Sequence, residues 1–442
     1  MTDMAGEGTP SAVPVTAKQG GDIRERWAWV EPSVWTQRML EALEVGVKGG
    51  KWFSLIDKVA AKKTLEAAWQ QVRRNRGAGG IDGVSIERFA ASAGRILTDL
   101  ESEIKGGRYR PAPVRRCAIP KPGTREKRML GIPTVRDRVV QAALRVVLEP
   151  IFERKFVATS YGFRPRRSSK DALRRVVELL KQGYVWVVDA DIASYFDTID
   201  HGLLMDDVQE DVADGRVLGL IEAFLKDGVM EGGELREPES GTPQGGVISP
   251  LLANIYLHPV DVVLHQAGYE SVRYGDDIVV LCRSREEAEN ALDLLRATMA
   301  ARKLTLHPTK TRIANAQDEG FDFLGYHFQG GHRWPRKKSV KKLRDAIRPH
   351  TRRANGHSLA TTIARINPIL RGWFEYFKHS HRNVFPDIDG WVRMRLRSIL
   401  RKRAHHRGRG RGSDHQRWPN AFFTAQGLFT MTKAHTAALQ SR

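Results

Sequence analysis

Cysteine is almost missing from this chain of 442 residues: Cys117 and Cys282 are the whole complement, far apart and each in an apolar, strand-like context. A disulfide-stapled scaffold is excluded, and buried reduced thiols in a reducing cytoplasm are expected. No apolar run reaches the ~18 residues a membrane-spanning helix needs. The basic residues are spread along the chain rather than gathered on one amphipathic helix, which argues against a membrane surface. Residues 1–22 have no apolar core and a single basic residue, Lys18, so they read as a disordered lead and not as a signal or transit peptide. Acid is also in deficit. With 51 Asp+Glu against 72 Lys+Arg, the formal charge is +21 and the pI about 10.1, which calls for a polyanionic partner, nucleic acid first.

What is present is organised around V-R-Y-G-D-D-I-V-V-L-C, Val272 to Cys282. Two strand-like runs flank Gly275-Asp276, a dipeptide suited to positive-φ positions of a two-residue hairpin turn, so Asp276 and Asp277 sit at a hairpin tip. A run as apolar as Ile278 to Leu281 belongs to a sheet interior. Bare like charges beside it are costly unless a cation neutralises them. A second acidic locus follows Gly183 in Y-V-W-V-V-D-A-D-I-A-S-Y-F-D-T-I-D, where Val185 to Val188 reads as a buried strand. Asp189 and Asp191 point to one face at its end, and spacing alone does not choose between them. Asp197 and Asp200 read as helix caps.

Around these loci, helical spacing and turn chemistry divide the chain. Glu31 to Lys63 is a helical extension, and the glycine-rich R-G-A-G-G-I-D-G that follows the next helix suits either a phosphate-hugging loop or an ordinary turn. Val114 to Thr134 gives two strands about a Pro-Gly turn bearing Lys121, Arg125, Lys127 and Arg128, cations that either solvate the hairpin or grip a triphosphate. Ser168 and Asp171 form a capping box, with Arg164, Arg166 and Arg167 just before that helix's positive end, where backbone phosphates dock. G-T-P-Q-G-G-V-I-S-P lets backbone near Gln244 and Gly245 approach a ligand, with Ser249 as N-cap of the next helix. Beyond Trp334 three amphipathic helices with Lys- and Arg-rich polar faces make a small bundle. The run R-K-R-A-H-H-R-G-R-G-R-G after it is expected to stay disordered until it meets phosphate.

Carboxylates from separate strands converging on one point suit a pair of Mg²⁺ ions, which take few protein ligands and fill their shells with substrate phosphate and water. Such a pair serves nucleotidyl transfer. The series I-P-K-P-G-T-R-E-K-R-M-L-G-I-P-T, S-Y-G-F-R-P-R-R-S-S-K-D-A-L, D-I-A-S-Y-F-D, G-T-P-Q-G-G-V-I-S-P, Y-G-D-D and F-D-F-L-G-Y resembles, in order, a bacterial group II intron-encoded reverse transcriptase and maturase, over nearly all of the chain. Each piece is weak alone, whereas the ordered series is specific.

The resemblance implies an α+β right-hand polymerase: a lead over 1–30, a helical extension and start of the fingers over 31–110, fingers and palm over 111–333, an α-helical thumb or maturase bundle over 334–401, and a basic DNA-binding tail over 402–442. It implies that Asp191, Asp276 and Asp277 are catalytic, holding two Mg²⁺ with the Ile192 carbonyl. Lys121, Arg128, Gln244 and Gly245 would contact the dNTP, and Phe196 would leave no room for a 2′ hydroxyl. Arg164, Arg166, Arg167, Lys337, Lys338, Lys341, Lys342, Arg401, Lys402 and Arg403 would contact RNA or DNA. The implied partners are the intron RNA, target DNA, an RNA template with a DNA primer, and dNTPs, with no membrane and with homodimerisation left open. The implied compartment is the bacterial cytoplasm or nucleoid.

Two departures stand out. The family usually carries Y-A-D-D where position 275 here is glycine. No cysteine pair follows Cys282, so the form lacking the appended cysteine- and histidine-containing endonuclease is expected. The competing readings are a splicing-only RNA-binding maturase, which the intact aspartates weigh against, and a domesticated, defence-type reverse transcriptase.

Overall fold

The computed structural model describes residues 23–120, 127–226, 229–231, 234–236, 241–242, 245–354, 356–407 and 412–440. Its strands are β1 (Val114–Pro120), β2 (Lys127–Ile132), β3 (Trp186–Asp191), β4 (Val229–Glu231), β5 (Glu234–Arg236), β6 (Glu270–Tyr274), β7 (Asp277–Cys282), β8 (Arg312–Asn315), β9 (Phe321–Phe323), β10 (Tyr326–Gln329) and β11 (His332–Pro335). They form three sheets, ordered β2-β1-β4-β5, β6-β7-β3-β8 and β11-β10-β9.

The central sheet is antiparallel, and its alternation decides what each side chain meets. Val188, Ala190, Ile278, Val280 and Cys282 face the large core shared with helices Ser249–Gln266 and Arg285–Ala301. Val187, Val272, Val279 and Leu281 face a second core with helix Ser169–Lys181 and with Phe321, Tyr326 and Phe328 of the small sheet. Dense apolar runs were needed because the sheet is covered on both faces.

The capping box stands as expected: Ser168 accepts from the Asp171 backbone and Asp171 accepts from that of Ser168. Asp200 caps helix His201–Gln209 through Leu203 N at 2.9 Å, whereas Asp197 lies inside the short helix Tyr195–Thr198 and not at its N-cap. Ser249 is the first helical residue, one position later than its expected N-cap role. In the 76–83 loop the glycines serve packing: Arg115 and Arg138 donate to the carbonyls of Gly79 and Ala78.

Helices Lys337–Ile347, Leu359–Phe377 and Val384–Arg403 form the expected bundle. The segment beyond is no loose tail. Residues 412–440 hold three further helices, and Phe423, Leu428 and Met431 are buried in the bundle core with Leu370, Phe385 and Val392. Asp389 accepts from the backbone of Met431 and Thr432, both at 3.0 Å, fastening the last helix. The charge of the arginine run masked the apolar spacing beyond it. Residues 408–411 of that run lie outside the described residues.

Candidate active site

β3 and β7 pair in a register that sets Asp191 directly opposite Asp277, and the tight turn between β6 and β7 places Asp276 next to it. Gly275 takes φ +69°, and Asp276 is not at positive φ. Glycine at the first central position alone is the II′ arrangement, so the turn needs one positive-φ residue where two were expected. Asp189, Asp191 and Asp277 share the face of the second core by strand parity. Asp189 has Arg312 as its register partner on β8, whereas Asp191 meets Asp277, which separates the two acids that spacing left equivalent.

Asp277 is open to the cleft yet closely surrounded elsewhere. Desolvation, then the charges of Asp276 and Asp191, push its carboxyl up to about 6. Desolvation likewise takes Asp189 to about 7, against the pull of Arg312. Asp191 has a counter-charge that was not anticipated: Lys310 Nζ donates to its Oδ2 at 2.7 Å. The same loop grips the Asp191 backbone, with His307 N on its carbonyl at 2.7 Å. A lysine in the P-T-K-T turn, 119 residues after the acid, gave no local signal in the sequence.

The turn is held from beneath by Arg273, 1% exposed, on the opposite face of β6. Its guanidinium donates to Asp261 at 2.7 and 2.5 Å, to Asn254 Oδ1 at 2.9 Å and to the Gly275 carbonyl at 3.0 Å. Asn254 in turn donates to Gly162 O at 2.9 Å, and a side chain at Gly162 would collide with the Gly275 nitrogen. The sequence reading missed this clamp. Asp261, an acid inside the apolar helix Ser249–Gln266, was the one visible sign of it.

Phe196 is half-buried, five positions after Asp191, its ring edge-on to Tyr195. Its carbonyl accepts from Thr242 N at 2.7 Å, so the glycine loop lies against it. Gly245, at φ +123°, abuts β2, where any side chain would strike the Gly131 carbonyl after β2 residues Arg128 to Leu130. Ile192 is buried and bridges Leu306. Lys121 and Gln244 lie outside the described residues, as does the side chain of Arg128, which β2 sets opposite Ile119.

The expected nucleic-acid contacts divide. Lys337, Lys338, Lys341 and Lys342 are exposed on helix Lys337–Ile347, and Lys402 and Arg403 are exposed at the end of the third bundle helix. Arg164 is a correction: it is buried, paired with Glu153 at 2.7 Å and bound to the carbonyls of Val157 and Ser160, so no phosphate reaches it. Arg401 is held by Asp414 at 2.5 Å, Arg166 donates to Glu25 O, and Arg167 to Ala158 O.

Residues 119–328 match the reverse transcriptase (RNA-dependent DNA polymerase) family. With paired acids on an antiparallel sheet between a strand hairpin and a helical bundle, the class is a reverse transcriptase of α+β fold, which copies RNA into DNA. Residues 340–418 match the group II intron maturase-specific domain. Protein YkfC of Escherichia coli (strain K12) is 34% identical over 358 residues, 71% of this chain and 87% of that protein. The group II intron-encoded protein LtrA of Lactococcus lactis subsp. cremoris is 41% identical over 194 residues, 44% of this chain and 32% of LtrA. The chain belongs to the group II intron-encoded reverse transcriptase and maturase family. Among solved structures, a partial Cas6-RT-Cas1–Cas2 complex is similar over 56% of this chain and 43% of that one, with 22% sequence identity and a TM-score of 0.37. No helix among the described residues is long and apolar enough to cross a membrane.

Proposed function

We propose that Asp191, Asp276 and Asp277 form the catalytic site of this RNA-directed DNA polymerase, with dNTPs as substrates, an RNA template and a DNA primer. The observation that carries the reading is the cross-strand pairing of Asp191 with Asp277 beside the turn that presents Asp276. The residues fit divalent cations of the Mg²⁺ kind. Among the described residues no three acids, histidines or cysteines close into a cage. Few protein ligands with open positions are what Mg²⁺ takes when substrate phosphate and water complete its shell. Burial and then the neighbouring carboxylates raise Asp277, and a cation would relieve that crowding of negative charge.

Asp191 and Asp276 would be the direct ligands of two ions, with the Ile192 carbonyl beside them. Bound there, the ions supply Lewis-acid activation of the primer 3′ hydroxyl and neutralise the leaving pyrophosphate. In the transfer, the 3′ oxygen bonds to the α-phosphorus as the α–β phosphoanhydride breaks, pyrophosphate leaves and the hydroxyl proton passes to solvent. Arg273 fixes the height of the turn, and Lys310 steadies Asp191 from the side. Lys121 and Arg128 would hold the triphosphate, Gln244 and Gly245 would line the nucleotide, and Phe196 would exclude the ribose 2′ hydroxyl.

The 334–401 bundle, with the packed segment after it, would bind the intron RNA and promote its splicing. The exposed lysines at 337, 338, 341 and 342, with Lys402 and Arg403, would lie on the phosphate backbone. Copying of the spliced intron at a DNA target, as in retrohoming, completes the reading. Asp276→Asn tests it. Primer extension on an RNA template should vanish while protein-assisted intron splicing persists, and extension at the parent rate would refute the site.

A further inference from the structure

Phe163 is a bulky residue at φ +59°, a region such side chains almost never enter, and the residue is 46% exposed. Both features are unfavourable for folding, yet the surrounding chain enforces them. Tyr161 N donates to Arg273 O at 2.8 Å and Arg273 N to Thr159 O at 2.9 Å, so the strand before Phe163 is stitched along β6. Asn254 then holds Gly162 O. These contacts deliver the ring onto the turn itself: a Cβ at position 275 would stand 3.0 Å from Phe163 Cε2. Backbone strain that the surroundings enforce gathers at active sites and ligand clamps.

We infer that Phe163 is a substrate-contacting residue that packs on the base of the primer's 3′-terminal nucleotide. The inference rests on the proposed site. The 3′ hydroxyl must reach the acids at 191 and 276, so its nucleotide lies within a residue's length of Gly275, where this ring offers an open apolar face. Aromatic contact with a base is indifferent to its identity, as copying any template requires. The missing side chain at position 275 leaves room for the ring at this lip.

The test uses the full chain and a fluorescein-labelled DNA primer on an RNA template, ended by a dideoxynucleotide, with binding read by anisotropy in chelator. Phe163→Ala should weaken binding about tenfold, Phe163→Tyr should restore it, and the KM for dNTP should be unchanged in extension assays. In the parent protein an abasic primer terminus should cost a similar factor, and Phe163→Ala should be indifferent to it. This second arm needs no stable variant to challenge the idea. Parent affinity unaffected by the abasic end, or a loss in Phe163→Ala confined to the KM for dNTP, would overturn the inference. Extension by the parent protein on an ordinary primer reports separately on the polymerase reading.

Discussion

Asp191 and Asp277 are register partners across β3 and β7, although 86 positions separate them in sequence. Their neighbour on the turn, Asp276, completes a concentration of negative charge that Arg336 and Lys310 offset in part.

Burial of Asp277, together with these neighbouring charges, gives a pH dependence with a definite sign. The carboxyl of Asp277 is pushed up to about 6, so between its ordinary value of about 4 and that point the folded chain binds more protons than the unfolded chain. Stability therefore falls as pH rises through this window. Asp277→Asn should raise the thermal midpoint by about 2–4 °C at pH 8 in chelator and leave it unchanged near pH 4. Thermal scans at the two pH values check this.

Phe196 packs on Tyr195 and holds the glycine loop through its carbonyl. Phe196→Ala should admit ribonucleotides, lowering discrimination against rNTPs by about tenfold or more in primer extension. Unchanged discrimination would mean that the ring is core packing alone.

Arg273 is a positioning residue for the turn. Arg273→Met leaves Asp261 buried and unpaired, at a cost of about 3–5 kcal/mol. Adding Asp261→Leu should recover the thermal midpoint but not the synthesis rate, because the Gly275 carbonyl still lacks its donor. Denaturation and primer extension on the same double variant separate the two effects.

Asp389 tests the packed C-terminal segment. Asp389→Ala removes the acceptor for the Met431 and Thr432 amides, a loss of about 1–2 kcal/mol. Limited proteolysis should then release the last helix earlier than in the parent.

Much of this was legible in the sequence because it rests on short-range rules. The dense runs at Val185 and Ile278 could only be buried strands, Gly275-Asp276 could only turn, and Ser168 with Asp171 announced a helix start. Partnerships across elements were not legible. Arg164 stood next to a helix N-terminus and read as a phosphate ligand, but Glu153 had claimed it eleven residues earlier. Arg273 alternated along a strand like any surface cation, and only the packing of helix Ser249–Gln266 beneath β6 showed where it pointed. The folded segment after the bundle was hidden behind the charged run, and its buried apolar residues, Phe423, Leu428 and Met431, follow no single period.

The most direct measurement is metal-directed cleavage of the chain. With Fe²⁺ in place of Mg²⁺, and with primer–template and dNTP bound, peroxide should cut the backbone near residues 191 and 276 together, and Asp191→Asn should suppress both cuts. Cuts at only one of these places, or a second cut that survives the loss of Asp191, would contradict a metal site shared by the two strands.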